Sequence, residues 1–499
     1  MKASLLACCS AAFLAAVCGA KASPPNVVIL LADDMGYGDL GANNPKSKIP
    51  TPNLDKLAAE GTRFTDGHSS SGICTPSRYS LLTGCHHWRD FHDIAQAFGP
   101  SVFRKDQLTL PQMLREKGYA TACIGKWHLG WNWDAIRKPG TPPKSIQAGD
   151  FDWSKAIPDG PTAHGFDTYF GDDVINFPPY TWIKDDKVVD VPDTMLSAVL
   201  HGSPKEGTWE CRPGPAFSGW DFHQDLPTLT RHAVDYIRSR KGKEQPFFLY
   251  LPFPSPHAPI IPTAEFEGKS KAGPFGDYVV QTDDSCGCVF AALKEAGLDG
   301  NTIVVFSADN GPEIFAYARD EKFDHWSSEP FRGLKQDNYE GGHHVPFVIK
   351  WPGVTKPGTV SGALISHLDL MATLADLISY DLPRNSAEDS FDYLPFLKGE
   401  TATPPRDTMV QNTWKEYAIR HGDWLLEDSK SGYSRPATEE WLKKHDTPPG
   451  HKQPVELFNL RDDPGQRHNL AADHADKVAE LQALLKKIRE EGHSAPRLE

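Results

Sequence analysis

The 499-residue sequence contains no Asn-x-Ser/Thr sequon, no internal repeat and no low-complexity tail. The missing sequon favours a bacterial envelope protein over a eukaryotic secretory one. Positive charge is also scarce. A formal net charge of −14 argues against nonspecific nucleic-acid binding, although it leaves room for a local basic pocket. His86, His87 and His92 are irregularly spaced with no companion cysteine pair, so they read as polar packing or a pocket rim rather than a zinc site. Cysteine is sparse, nine in all. Cys286 and Cys288 fall in a predicted helix, where two-residue spacing turns them to different faces. Both are expected as buried small residues, not as a redox pair.

One long apolar run stands out, Ala3 to Ala20 after Lys2, followed by Ala20-Lys21-Ala22. It reads as a secretory signal peptide over residues 1–22. The run is rich in Ala and Cys and soon meets Pro24-Pro25, and Val17 spoils a lipobox at Cys18, so no stable membrane anchor is expected. Export to the periplasm or beyond, in a bacterium, follows. The rest, 39% hydrophobic and 24% charged, describes an ordinary soluble chain long enough for two or more units.

Asn26 to Ala32 is a nearly continuous apolar run, as expected of a strand buried on both faces of a mostly parallel sheet. It empties into Asp33-Asp34. Read alone, such a pair is a solvated loop; at the carboxyl end of a central strand, two adjacent carboxylates ask for a cation. A second apolar run, Asn301 to Ala308, delivers Asp309-Asn310-Gly311 in the same manner. Asp33, Asp34, Asp309 and Asn310 make an all-oxygen set suited to Ca²⁺, or alternatively Mg²⁺, and not to zinc.

Between these runs lies Ser71-Gly72-Ile73-Cys74-Thr75-Pro76-Ser77-Arg78-Tyr79-Ser80-Leu81-Leu82-Thr83-Gly84. Pro76 suits a first helical turn and Gly84 a helix stop. Cys74 then sits where free N–H groups and a helix dipole converge, with Arg78 one turn on. A bare cysteine there is expected to be a nucleophile of low pKa.

Cys-x-Pro-Ser-Arg-x-x-Leu-Leu-Thr-Gly resembles the signature of the type I, formylglycine-dependent sulfatases, the arylsulfatase-like family. In that family the cysteine is oxidised to formylglycine (3-oxoalanine). Gly125-Lys126-Trp127-His128-Leu129-Gly130 is similar to the second family signature. Phe331-Arg332-Gly333-Leu334-Lys335 and Glu340-Gly341-Gly342-His343-His344-Val345-Pro346 resemble a later segment, with His344 where the family usually has Arg. That departure leaves the role of position 344 open. With Cys74 converted, an odd number of thiols remains, unlike a disulfide framework.

The resemblance spans about Asn26 to Glu491. It implies an alkaline-phosphatase-like α/β fold: a large domain with a central mostly parallel sheet flanked by helices over residues 23–397, and a small C-terminal α+β subdomain with an antiparallel sheet over 398–499. It implies catalytic roles for Cys74, Arg78, Lys126, His128, His257 and Lys335, with Lys126, His257 and Lys335 binding substrate. It also implies that Asp33, Asp34, Asp309, Asn310 and the modified Cys74 hold the metal. The expected activity is hydrolysis of a sulfate ester, from a sulfated carbohydrate or a small sulfate ester, after maturation by a formylglycine-generating enzyme. Asp172, Asp173, Asn176 and Trp182 are candidates for touching the group that carries the sulfate. The rivals are a phosphodiesterase or phosphonate monoester hydrolase of the same superfamily, and a non-catalytic binder of sulfated glycans. Oligomeric state is not readable from the sequence.

Overall fold

The structure, a computed structural model, describes residues 23–197, 211–429, 431–450 and 454–496. The signal-peptide reading over 1–22 lies outside the described residues. No helix among the described residues is long and apolar enough to cross a membrane.

Fourteen strands matter to the argument. Ten build the large sheet: β1 (Asn26–Ala32), β2 (Thr62–Phe64), β3 (Ala120–Ile124), β4 (Thr168–Gly171), β5 (Ile183–Lys184), β6 (Lys187–Val188), β7 (Phe247–Pro252), β8 (Thr302–Ala308), β9 (Phe347–Lys350) and β10 (Thr359–Ser361). Their spatial order is β10-β2-β9-β8-β1-β7-β3-β4-β5-β6. The central five, β8-β1-β7-β3-β4, are mutually parallel. β1 lies in the middle with every residue buried, because apolar layers cover both faces of the sheet. A continuous Val-Ile-Leu run is stable only in such a doubly covered position.

The parallel register aims the ends of four neighbouring strands at one place. The chain leaves β1 at Asp33, β3 at Gly125, β7 just before Ser255 and β8 at Asp309, all on the carboxyl side of the sheet. In open α/β folds this is the side where ligands bind. Gly125 permits the crossing, since a Cβ there would lie 2.1 Å from the Pro252 carbonyl oxygen and its φ is 127°.

The remaining four strands, β11 (Thr408–Thr413), β12 (Glu416–His421), β13 (Trp424–Glu427) and β14 (Glu456–Asn459), form a separate antiparallel sheet in that order. The helix Ala475–Glu491 lays Leu481, Leu485 and Ile488 across it, against Val410, Ile419, Leu426 and Leu457. The small unit is tied to the large one by Arg420, which donates to both Asp66 oxygens at 2.6 and 2.8 Å. Arg332 adds a second tie, donating to the carbonyls of Gln466 and Pro448.

The helix Gly273–Ala296 corrects one expectation: Cys286 is buried but Cys288 is exposed. Two helical positions turn the chain by about 200°, so the spacing that separates the two faces also puts one thiol in water.

Candidate active site

Cys74 opens the helix Cys74–Thr83, all ten residues of which are buried. The helix ends at Gly84, whose φ of 67° lets its N–H bond back to the Ser80 carbonyl. Cys74, His128, His257 and Lys335 all line a single cavity of about 600 Å³. They come from a helix start, the loop after β3, the loop after β7 and the long loop before β9. The low-pKa expectation for Cys74 fails: burial pushes the thiol up, and Lys126 and Lys335 only partly oppose it. A helix start cannot keep a thiolate that has lost its water.

Beneath this floor lies a buried lattice of charge. Lys126 Nζ is 2.5 Å from Asp33 Oδ2. Arg78 donates through Nε and Nη2 to Asp309 Oδ2 at 2.9 and 2.8 Å, and through Nη1 to the Lys126 carbonyl at 3.0 Å. Lys335 Nζ donates to Asp34 Oδ2 at 2.7 Å, and Asn310 Nδ2 to Asp34 Oδ1 at 2.6 Å. The backbone N–H of Asp34, itself at φ 66°, donates to Asp309 Oδ1. Three buried carboxyl groups thus face three cationic side chains. Burial works against charge on Asp34, but the Lys335 ammonium opposes it and the carboxyl is drawn below its usual range. Asp309 moves the other way, raised by burial and by Asp33.

Two oxygens in the lattice, Asp33 Oδ1 and Asn310 Oδ1, are buried without a hydrogen-bond partner among the described residues. Arg78 Nη2 comes no closer to Asp33 Oδ1 than 3.6 Å. Buried oxygen acceptors left unpaired are costly. Four oxygen-bearing side chains with two such vacancies fit a hard divalent cation. Asp33, Asp34 and His257 also present ligand atoms within 4.8 Å of one another.

The two cavity histidines are fixed by one ring nitrogen each. His128 Nε2 is 3.1 Å from the Ala95 carbonyl and must donate there, which leaves Nδ1 as a lone pair with no partner. Burial, and then Lys126, hold that ring well below the usual histidine range. His257 Nδ1 donates to the Ala258 carbonyl at 2.5 Å, while Nε2 lies 3.6 Å from Asp34 and 3.4 Å from Glu313. Burial and the Lys335 charge keep this ring neutral as well. Glu313, raised to about 8 by burial and by Asp34, carries a proton at neutral pH. It escaped the sequence reading, which stopped at Gly311; its place three residues beyond Asn310 was the available signal.

The candidates beyond the floor divide. Asn176 lines the cavity. Asp173 is turned inward and accepts from the His128 N–H. Asp172 is buried beside Asp225 and raised to about 6 by that burial. Trp182 does not reach the site; it stacks on Phe170 at 5.1 Å. Phe177 and Arg212 line the cavity instead, with the guanidinium 3.6 Å from the ring centre. Neither was singled out, since the irregular stretch around them has no periodicity to read.

His344 lies away from the cavity. Its Nδ1 bonds Glu340 at 2.7 Å, its Nε2 bonds the Thr65 carbonyl at 2.8 Å, and its ring stacks on Phe331. His68 and His343 meet at 3.1 Å through their Nδ1 atoms, and His68 Nε2 bonds Asp66 at 2.8 Å. These groups are close enough to suggest a metal site, but every ring nitrogen among the three histidines already has a partner.

The Sulfatase family model matches residues 25–380. An N-acetylgalactosamine-6-O-sulfatase of Bacteroides thetaiotaomicron is 32% identical, with 94% of each chain covered. Arylsulfatase A of Bos taurus is 33% identical over 92% of this chain and 86% of its own. A solved Bacteroides thetaiotaomicron sulfatase, described in connection with the metabolism of multiple glycosaminoglycans, superposes with a TM-score of 0.79 at 29% identity, covering 94% of this chain and all of that one.

Proposed function

Because the chain belongs to the sulfatase family and is an enzyme, we propose that it hydrolyses the sulfate ester of a sulfated carbohydrate at the cavity floored by Cys74. The observation that carries this reading is the meeting of Cys74, His128, His257 and Lys335, remote in sequence, on the wall of one cavity. Asp33, Asp34, Asp309 and Asn310 are the residues that would hold a divalent cation, with Ca²⁺ favoured by their all-oxygen chemistry. Bound there, the ion supplies Lewis acidity, and oxidised Cys74 supplies the nucleophilic oxygen.

The chain's own groups account for the rest. Arg78 and Lys126, locked to Asp309 and Asp33, fix positive charge beneath the reacting centre, and Lys335 adds a cation on its wall. Such preorganised charge stabilises a transition state without reorganisation. Protonation of the departing sugar oxygen falls to Lys335 Nζ and His257 Nε2. Lys335 holds its proton at all working pH, because Asp34 outweighs the cost of its burial. His257 Nε2 is the lone pair of the neutral ring and must be protonated before it can donate; the protonated Glu313 carboxyl lies 3.4 Å from it. The unpaired Nδ1 of His128 is the lone pair available to accept one. Export and maturation by a formylglycine-generating enzyme belong to the same reading.

N-Acetylgalactosamine 6-sulfate, the kind of substrate named by the Bacteroides relative, is the first compound to assay. The expected result is sulfate release that requires a divalent cation, together with a peptide mass at Cys74 matching an aldehyde instead of a thiol. Faster cleavage of an aryl phosphate than of any sulfate ester would transfer the reading to phosphoester hydrolysis. An intact thiol in fully active enzyme would remove formylglycine from it.

A further inference from the structure

The catalytic cavity adjoins a second cleft of about 830 Å³, and Gln336 and Trp414 line both. Gln336 follows Lys335 directly. Trp414 occupies the tip of the β11–β12 hairpin, where Thr413 pairs with Glu416 and leaves a two-residue turn. Both dividing residues hold positive φ, 76° for Gln336 and 55° for Trp414. Glycine takes such a turn position without penalty, whereas a bulky side chain strains the backbone. Nor does packing explain the tryptophan. It is only partly buried, and among the described residues it joins none of the apolar clusters of the core. A strained, half-exposed aromatic on the divide between two cavities points to a ligand.

The second cleft also holds unpaired polar atoms. Asn338 is 2% exposed and lines it, yet Asn338 Oδ1 has no hydrogen-bond partner; Thr413 Oγ1, on a side chain equally buried, is in the same condition. Buried acceptors and hydroxyls of this kind call for a polar occupant. Tyr433 supplies a further aromatic ring and Ser431 a further polar side chain. The charged side chains at the cleft, Asp93, Lys415 and Glu416, are of mixed sign and favour no isolated anion, while hydrogen-bonding groups beside aromatic rings suit sugar hydroxyls and the apolar faces of pyranose rings.

We propose that this cleft is a glycan subsite that holds the sugar units adjoining the sulfated one, with Trp414 as the platform between them. The inference rests on the proposed reading of the catalytic cavity as the site of a sulfated sugar. It makes the enzyme's preferred substrate an oligosaccharide, and it gives the C-terminal sheet a part in choosing it.

Binding tests the cleft apart from turnover. In a Cys74→Ala background, N-acetylgalactosamine 6-sulfate and a tetrasaccharide ending in the same unit are titrated by calorimetry. The tetrasaccharide is expected to bind at least about tenfold tighter, and Trp414→Gly to weaken it about tenfold more than the monosaccharide; Trp414→Phe should keep most of the difference. The thermal midpoint of Trp414→Gly should not fall, because glycine relaxes the turn. Equal affinity for the two sugars, or a difference that Trp414→Gly leaves intact, overturns the proposal. A lower midpoint with both affinities reduced alike also overturns it, marking the tryptophan as structural. The affinity difference without sulfate release by the matured enzyme supports the subsite and counts against the proposed reaction.

Discussion

Two clusters of buried ionisable groups draw members from the segment Phe331 to Pro346, and they have different characters. The lattice of Asp33, Asp34, Asp309, Arg78, Lys126 and Lys335, together with Asn310, leaves two oxygens unpaired beneath a cavity, Asp33 Oδ1 and Asn310 Oδ1. The cluster of Asp66, His68, Glu340, His343 and His344 pairs every ring nitrogen and leaves Glu340 Oε1 unpaired among the described residues, and none of its five residues lines the cavity or the cleft beside it. Both are buried, and both have donors that could suit a metal. What separates them is access to a cavity: each leaves buried oxygen unpaired, but only the first does so beneath a cavity wall. Unpaired acceptors enclosed by protein are a cost of the fold, while unpaired acceptors below a cavity wall have bonding capacity available to a ligand.

The sharpest way to break this comparison is to truncate the cavity residue above the first cluster and a member of the second. Cys74→Ala is expected to lower sulfate release by a factor of about 10⁴ or more, as loss of a nucleophile does, with a thermal midpoint within a few degrees of the parent. Glu340→Ala should act in reverse. Burial disfavours its charge, but His68 and His344 outweigh this and hold the carboxyl well below its usual range. Removing one partner from such a buried set costs about 3–5 kcal/mol, read as a shift of the urea midpoint, while the folded fraction keeps its kcat. Comparable rate loss in both variants would erase the distinction.

The sequence makes one side of this comparison far more legible than the other. Asp33-Asp34 and Asp309-Asn310 each end an apolar strand, so the strand pattern and the parallel rule suffice to bring them together. The structure adds what the pattern could not: a Cβ on Gly311 would lie 1.9 Å from the Gly341 carbonyl oxygen, so the Asp309-Asn310 turn packs directly on the Glu340 turn. His344 could be seen to depart from the family pattern, but its partners Thr65, Glu340 and His68 come together only through pairing such as that of β9 with β2 and the bridge from His68. Glu313 and Trp414 were missed for another reason. One follows a motif and the other tops a hairpin, and neither position carries periodicity; their importance lies in a raised carboxyl pKa and a positive φ, which exist only in three dimensions.

A cation sharpens the contrast with a smaller effect. Calcium at one hundred times its Kd should stabilise the Cys74→Ala protein by about 2.7 kcal/mol, the value mass action gives for binding to the folded state alone. Differential scanning calorimetry with and without chelator reads this directly. Asp309→Asn should abolish most of the response, and Glu340→Ala should retain it within its lower baseline. If Glu340→Ala loses the calcium response while Asp309→Asn keeps it, the ion belongs to the histidine cluster.

Acid discriminates more gently still. Burial lowers the pKa of His343, to about 3, so its ring is neutral in the folded protein where the unfolded chain would take up a proton. The facing groups are Glu340, Asp66, His344 and Arg420. With more protons bound when unfolded, stability rises with pH: it is complete above about 6.5 and is lost as pH falls toward the folded value. Each proton contributes a slope of about 1.4 kcal/mol per pH unit. Asp66, held far below its normal range by His68 and Arg420 against the cost of burial, adds loss of the same sign below about pH 4. Urea titrations between pH 7 and pH 5 should therefore show falling stability in the parent, and a flatter dependence in His343→Gln, which has one fewer group to protonate on unfolding. An unchanged slope in that variant would mean that His343 itself is already protonated in the folded state.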